Sequence, residues 1–365
     1  MILMNEFKAE PQEIREATLT AVARVLESGW YVLGKEVTDF EQQWAALCGV
    51  QHGVGVGNGM DAIEVALRAL DIGPGDEVIT TPMTAFASVL GIHRAGAKAV
   101  LADIDTHTGL MNMDSVKRCI TPRTKAILLV HLYGQIRDMQ AWVALCHEHK
   151  IELIEDCAQA HYARIDGKVA GSFGRAGAYS FYPTKNLGCV GDGGMMVTSD
   201  TALAERAARL RNYGQSVRYS HPELGLNSRL DEIQAAILKV RLAWMDEFTA
   251  RRQAIARQYR EGLVNHSKVT LLAAPQEDAA HVYHLFVLHC QDREAFLRHM
   301  TEHKVQALIH YPIPVHHQPP CLDIPRDPQG LRQSEAHAAT CVSIPCHPQM
   351  SDTDVAAVLA AINAY

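Results

Sequence analysis

The sequence lacks the features that mark membrane, fibrous and disordered chains. No apolar run in its 365 residues approaches the ~18 residues that a membrane-spanning helix requires. The N-terminus turns polar at Asn5 and charged at Glu6, so it has no basic and apolar leader of the secretory kind. Aromatic residues are few, at 6%, but 48% hydrophobic and 21% charged residues are typical of a globular protein. We therefore expect a soluble, cytoplasmic protein.

An excess of basic residues and a recognisable metal or disulfide pattern are also missing. The formal net charge is −7, which argues against a nucleic-acid partner because such surfaces are basic. The nine cysteines include no CxxC pair and are expected to be buried free thiols. The 19 histidines match no zinc spacing, so we predict no metal site and interpret them as surface and pocket residues.

Internal repeats and low-complexity linkers are absent, and what recurs is a short apolar strand followed by an amphipathic helix. Helices are predicted over 61–70 and 139–150. The predicted strands are near-continuous apolar runs at 77–80, 99–103, 126–131, 151–156, 178–182 and 195–198. Such runs indicate strands that are buried on both faces of a mostly parallel sheet. The fold class is therefore α/β, with helices flanking this sheet.

A second, smaller domain is predicted after the sheet. An apolar stripe over 230–248 indicates one long connecting helix. Beyond it we expect an α+β unit, interrupted by a proline- and histidine-rich loop over 311–328. Its elements are predicted as strands at 283–289 and 305–310 and helices at 292–303 and 352–364. The predicted domains are residues 1–240, with an N-terminal helix and substrate segment over about 1–35, and residues 241–365.

The glycine-rich stretch over 53–61 opens directly into a predicted helix. Glycines let backbone N–H groups approach an anion, and the helix N-terminus adds partial positive charge, so one interpretation is a phosphate cradle. A second is a dinucleotide fingerprint, although the third glycine of that motif would fall at Met60. A simple tight turn is the third interpretation.

Two further candidates follow predicted strands. Asp156 ends one strand, where an acidic group can hold a ligand nitrogen protonated, bind a ribose or metal, or cap a helix. Lys185 follows another strand and precedes the glycines of 191–194. A phosphate cradle, a carboxylate and a lysine are together the three requirements of pyridoxal phosphate. A nicotinamide enzyme needs no such lysine.

These residues carry a family resemblance. The chain resembles the DegT/DnrJ-type pyridoxal-phosphate sugar aminotransferases, which have the aspartate-aminotransferase-like fold (fold type I). The most specific stretches are Ser180 to Gly194 and GLNSRLDEIQ at 225–234. The other matching stretches, in the family's order, are 57–62, 73–79, 130–135, 155–161 and 310–316.

The resemblance implies a role for each matching cofactor residue. Lys185 would form the Schiff base with the cofactor and then carry the transferred proton, and Asp156 would pair with the pyridine nitrogen. Gln159 would contact the phenolic oxygen of the ring. The expected cofactor-binding residues near the phosphate are Asn58, Gly59, Met60 and Ser180.

The resemblance also implies a homodimer and a substrate site. Asn227 matches the position that reaches the phosphate of a neighbouring subunit, so the active sites would be shared. Tyr31, Tyr311 and His316 would meet a nucleotide-sugar. The implied reaction transfers an amino group, from glutamate, to a nucleotide-activated 3-keto or 4-keto sugar.

The chain departs from the family pattern at two positions. Ala85 stands where an aromatic residue often stacks on the cofactor ring, and Phe86 next to it would either replace that residue or pack in the core. Tyr162 replaces a usual glycine and would shape the sugar site. Lys185 is retained, whereas a related dehydratase branch has histidine there.

Two other functions remain open at this point. The first is an NAD-dependent oxidoreductase that uses the glycine-rich turn. The second is a non-catalytic regulator that keeps the pyridoxal-phosphate fold.

Overall fold

The computed structural model describes residues 1–263 and 265–365. The first six helices alternate with strands of the large sheet or precede it: α1 (Gln12–Ser28), α2 (Lys35–Cys48), α3 (Gly59–Ala69), α4 (Phe86–Arg94), α5 (Met113–Cys119) and α6 (Met139–His149). The remaining helices are α7 (Thr201–Leu210), α8 (Glu232–Leu242), α9 (Met245–Leu263), α10 (Arg293–Glu302), α11 (Arg332–Thr340) and α12 (Asp352–Asn363).

The strands form three sheets. A seven-stranded sheet is built from β1 (His52–Val56), β2 (Glu77–Thr80), β3 (Lys98–Leu101), β4 (Thr124–Val130), β5 (Glu152–Asp156), β8 (Ala176–Ser180) and β9 (Gly194–Thr198). A short hairpin contains β6 (Arg164–Ile165) and β7 (Lys168–Val169). A C-terminal sheet contains β10 (Val269–Leu271), β11 (Phe286–Cys290) and β12 (Cys341–Ile344).

The large sheet has the order β1-β9-β8-β5-β4-β2-β3. All neighbours from β8 to β3 are parallel, and only β9 runs against both of its neighbours. Each face is covered by a separate apolar cluster, and Leu153 and Ile154 of β5 belong to opposite clusters, as alternating side chains of a strand must. The predicted α/β fold with a mostly parallel sheet is confirmed.

A third apolar cluster lies in the C-terminal part of the chain. Its residues run from Ile255 of α9 to Ile362 of α12 and include Leu288 of β11. All nine cysteines are buried and free, as predicted. Within the described residues, no helix combines the length and apolar character that crossing a membrane demands.

Three local predictions were wrong. The apolar stripe over 230–248 belongs to two helices, α8 and α9, and the charges of each fit its own dipole: Lys239 and Arg241 end α8, while Asp246 and Glu247 begin α9. In the glycine-rich stretch over 53–61, residues 53–56 pair with β9 as part of strand β1, so the interpretation of the whole stretch as a simple turn is wrong. The segment over 305–310 makes only isolated bridges, to Ile2 and Ser343.

The parallel strands end together at one edge of the large sheet. Val130 of β4 pairs with Asp156 of β5, and Asp156 pairs with Ala178 of β8. Because ligands bind beyond the carboxyl ends of parallel strands, this edge is where a site is expected. The first residues of α3 reach the same edge, where Gly59 packs on Ser180.

Candidate active site

The N-terminus of α3 offers free backbone N–H groups. The side chain of Asn58 caps the helix by accepting the Asp61 N–H at 2.9 Å. The amides of Gly59 and Met60 precede it and, by the geometry of any helix, have no carbonyl partner within α3. They are therefore the donors that remain for an anion, at the positive end of the helix dipole.

The buried carboxylate of Asp61 holds this helix end in place. It accepts the Ser228 hydroxyl at 2.6 Å and pairs with Arg94 at 3.0 Å. Ser228 in turn accepts the Gly57 N–H at 2.9 Å. The loop before α8 and the turn before α3 are thus tied together.

Backbone approaches at this edge leave no room for side chains. A Cβ on Gly59 would lie 2.6 Å from Ser180 Cβ, and one on Gly194 would lie 2.3 Å from the Asn58 backbone. Ser180 therefore lies directly against the free end of α3. Together the Ser180 hydroxyl and the amides of Gly59 and Met60 could hold a phosphate.

Asp156 is buried at the end of β5, where it is 6% exposed. One carboxylate oxygen, Oδ2, accepts the hydroxyl of Ser88 at 2.7 Å. The other, Oδ1, accepts the Ala158 N–H at 3.1 Å. A carboxylate so fixed is suited to hold a proton on a ring nitrogen.

Lys185 projects from a tight turn after β8. Its N–H donates to the Tyr182 carbonyl at 2.8 Å, and a Cβ on Gly188 would lie 2.5 Å from the Pro183 carbonyl oxygen. Burial lowers the pKa of the Lys185 amine to about 8, and the negative charge of Asp156 partly opposes this effect. An amine with this pKa is a ready nucleophile and proton carrier near neutral pH.

Gln159 is oriented by two hydrogen bonds. Its Oε1 accepts the Tyr133 N–H at 2.6 Å, and its Nε2 donates to the Tyr311 hydroxyl at 3.1 Å. The amide NH₂ is therefore the side that faces Tyr311, and it is the side that could donate to a ring oxygen. Burial raises the pKa of Tyr311 to about 12, so this phenol stays protonated.

The charge of Lys185 reaches three histidines, His161, His284 and His310. His161 and His310 belong to stretches that match the family, but none of the three was predicted as a site residue. Burial, with a smaller contribution from the charge of Lys185, lowers the pKa of His161 to about 3 and that of His310 to about 4. The same causes hold the pKa of His284 well below its usual range. All three rings are neutral at pH 7. The high histidine content is thus explained in part by the surroundings of Lys185.

Glu155, next to Asp156, has a structural role. Its two oxygens accept the N–H groups of Gly171, Phe173 and Gly174, each at 2.8 Å. His131 Nε2 also lies 2.9 Å from it. This buried carboxylate fixes the loop that follows β7 and the end of β4, so two adjacent acids serve different purposes.

Among the described residues, no hydrogen bond joins the other predicted site residues to this group. Phe86 is the first residue of α4 and is 39% exposed, so its ring is not part of the buried core. Tyr31 is half exposed, and its carbonyl accepts the Glu232 N–H at 3.3 Å. Asn227 is exposed on the surface. His316 is buried, with Nε2 3.1 Å from Glu335.

Tyr162 shows why its position favours glycine. Its φ of 72° lies in the left-handed region, which side chains rarely adopt. The Arg164 guanidinium stacks on its ring at 4.0 Å. The expectation that this residue shapes a sugar site stays a prediction.

Sequence reasoning missed Ser88, Ser228 and Tyr133. Ser88 carries no signal of its own, because its contact joins segments far apart in the chain. Tyr133 lies within the matching stretch 130–135 and Ser228 within GLNSRLDEIQ, next to the selected Asn227, and these positions were the available signals.

The donors and acceptors fit pyridoxal phosphate. The cradle at Gly59, Met60 and Ser180 suits the phosphate, the Asp156 carboxylate suits the pyridine nitrogen, and the Gln159 amide suits the ring oxygen. The half-buried Lys185 supplies the amine.

Comparison with known proteins decides the assignment. Residues 12–363 match the DegT/DnrJ/EryC1/StrS aminotransferase family. The chain belongs to this family. It is therefore a pyridoxal-phosphate-dependent aminotransferase of fold type I.

Individual relatives cover nearly the whole chain. The dTDP-3-amino-3,4,6-trideoxy-alpha-D-glucose transaminase of Streptomyces venezuelae is 43% identical over 363 residues, 99% of this chain and 95% of its own length. The dTDP-3-amino-3,6-dideoxy-alpha-D-galactopyranose transaminase of Aneurinibacillus thermoaerophilus is 46% identical over 345 residues, 94% of each chain.

A solved structure shares the fold closely. The crystal structure of S. venezuelae DesV in complex with a ketimine intermediate has a TM-score of 0.95 and 42% identity, and it covers 100% of this chain and 97% of DesV.

Family membership leaves the NAD-dependent alternative without support. The physical reason is that Gly53 and Gly55, taken as part of a nucleotide-binding turn, lie within strand β1.

Proposed function

We propose that this aminotransferase transfers an amino group from L-glutamate to a nucleotide-activated 3-keto or 4-keto deoxysugar, by a ping-pong reaction in two halves. The names of the two relatives support a nucleotide-sugar substrate. The observation that carries the chemistry is a buried Lys185 amine with a pKa of about 8 that feels the charge of the fixed Asp156 carboxylate.

Each half-reaction moves a proton at the carbon that bears the nitrogen. Pyridoxal phosphate, when bound, supplies an electron sink for the bond that loses this proton. In the first half Lys185 would take the proton from the donor Cα and deliver it to C4′ of the cofactor, and in the second half it would move a proton from C4′ to the sugar carbon that bears the nitrogen. Because its pKa is near the working pH, the amine can serve both as base and as acid.

The remaining site residues bind and orient the cofactor and the nucleotide-sugar. Gly59, Met60 and Ser180, with Asn58 as the helix cap, hold the phosphate, and Gln159 donates to the ring oxygen. Phe86 would cover one side of the ring; its support is that the side chain is 39% exposed and stands two residues before Ser88, which contacts Asp156. Tyr311, His316 and Tyr31 contact the nucleotide-sugar.

The assembly is proposed to be a cytoplasmic homodimer with shared active sites. Asn227 would reach the phosphate in the partner's site, since it is exposed while its neighbour Ser228 is bound to Asp61. We propose a cofactor-bearing domain over 1–240 and a smaller domain over 241–365, with no metal and no nucleic acid involved.

The test is a panel of dTDP-, UDP- and GDP-linked 3-keto and 4-keto sugars with glutamate as donor. Turnover is expected with at least one sugar, with formation of 2-oxoglutarate and of the amino sugar in equal amounts. A protein that binds the cofactor on Lys185 but turns over none of the panel would support the non-catalytic regulator instead.

A further inference from the structure

Two buried hydroxyls connect the start of α4 to Asp156. The hydroxyl of Ser88 lies 2.7 Å from Asp156 Oδ2, and the hydroxyl of Thr84 lies 2.7 Å from that of Ser88. Thr84 is 4% exposed, Ser88 is 1% exposed and Asp156 is 6% exposed. All three groups are thus shielded from water, where hydrogen bonds to a charged group count most.

The direction of these hydrogen bonds follows from their chemistry. An ionised carboxylate can only accept, so the Ser88 proton must point at Asp156. The Ser88 oxygen is then left as an acceptor, and Thr84 must donate to it. Thr84 therefore donates to Ser88, and Ser88 donates to Asp156, so the position of both hydroxyl protons is determined.

This order leaves a defined part of the carboxylate free. Oδ2 is engaged by Ser88 and Oδ1 by the Ala158 N–H at 3.1 Å, so the plane of the carboxylate is fixed from two sides. Each oxygen retains a second lone pair. One of these lone pairs is available to the protonated nitrogen of a ring placed beyond β5.

We propose that Ser88, oriented by Thr84, is a positioning residue that keeps the Asp156 carboxylate aimed at the pyridine nitrogen of the cofactor. The inference rests on the proposed role of Asp156 and deepens it. Loss of the Ser88 donor would leave the Asp156 carboxylate less well oriented toward the ring nitrogen, so the proton on that nitrogen would be held less firmly. The ring would then be both a weaker electron sink and a weaker ligand.

The test uses Ser88→Ala, Ser88→Thr and Thr84→Val, with pyridoxal phosphate as the probe and no sugar present. The readouts are the cofactor dissociation constant and the pH midpoint of the visible absorption band of the lysine-bound cofactor. Ser88→Ala is expected to weaken cofactor binding by about fivefold or more and to raise the midpoint by about half a pH unit. Ser88→Thr, which keeps the hydroxyl, should restore both values, and Thr84→Val should lie between.

Ser334→Ala is the matched control. The Ser334 hydroxyl is also buried and also donates to a carboxylate, Asp103 Oδ1 at 2.5 Å, but this pair belongs to the contact of α11 with the loop after β3. The control should lose thermal stability and keep the wild-type dissociation constant and midpoint.

Each result decides a different point. If Ser88→Ala keeps the wild-type dissociation constant and midpoint, or changes them only as much as Ser334→Ala does, the positioning role is wrong. If the wild-type protein itself shows no visible band with pyridoxal phosphate, the assignment of the cofactor site fails, and not merely the role of Ser88.

Discussion

Gly59 at the start of α3 lies so close to Ser180 at the end of β8 that a methyl group on Gly59 would lie 2.6 Å from Ser180 Cβ. The two residues belong to elements that are far apart in the sequence and meet only at the edge of the sheet. Since both are proposed to hold the cofactor phosphate, their separation sets the size of the cradle.

Gly59→Ala is expected to widen the cradle and to weaken the binding of pyridoxal phosphate by about tenfold or more, since hydrogen bonds to a charged group are lost. The measurement is a cofactor titration followed by absorbance. Gly73→Ala is the control, because its Cβ would meet its nearest neighbour, the Ala95 carbonyl oxygen, only at 3.3 Å. Equal affinities in the two variants would contradict the proposed cradle.

The attachment of the cofactor to Lys185 should depend on pH with a midpoint of about 8. Only the deprotonated amine attacks the aldehyde, and burial lowers the pKa, so the attachment rate should rise up to this pH and then level off. Rapid mixing of apoenzyme with pyridoxal phosphate between pH 6 and 10 measures it. A rate that still climbs at pH 10, as with an ordinary lysine, would show that the amine is not perturbed.

Lys185→Ala is expected to lower turnover by about a thousandfold or more, because the proton carrier is lost. The variant should also lack the adduct that borohydride forms between the wild-type lysine and the cofactor, which mass spectrometry detects. Retention of a borohydride-stable adduct in Lys185→Ala would mean that another amine binds the cofactor.

Adjacent acids should respond in opposite ways to amide substitution. Glu155→Gln is expected to cost about 3 kcal/mol of unfolding free energy, because an NH₂ group would face buried N–H donors. Asp156→Asn should change stability little but should reduce turnover by about a hundredfold or more, since the charge that keeps the ring protonated is gone. Chemical denaturation and steady-state kinetics separate the two effects, and the reverse pattern would refute the division of roles.

Complementation between subunits tests whether sites are shared. Lys185→Ala and Asn227→Ala should each be poorly active alone. After unfolding and refolding together, half of the dimers are mixed, and each mixed dimer has one intact site that combines Lys185 of one chain with Asn227 of the other. Activity should return to about a quarter of the wild-type value. If no activity is gained on mixing, Asn227 acts within its own subunit or not at all.

The sequence by itself determined the fold class, the cofactor and the family. The apolar runs are local and long enough to predict buried parallel strands, and the residues around Asp156 and Lys185 are contiguous motifs. One local error concerned β1. Its glycines are typical of a turn, but in the structure they lie in a strand that pairs with β9. The prediction also joined α8 to α9, because an apolar stripe continues in phase across the break.

Only the tertiary structure decided how the site is supported. Ser88 and Asp156 are separated by 68 positions, and Tyr133 and Gln159 by 26, so no local pattern could pair them. The same holds for His161, His284 and His310, which come from three distant parts of the chain and whose pKa values are all lowered by burial and by the charge of Lys185. The lowered pKa of the Lys185 amine arises from burial, and burial arises from packing between distant segments. Local sequence patterns do not predict such packing.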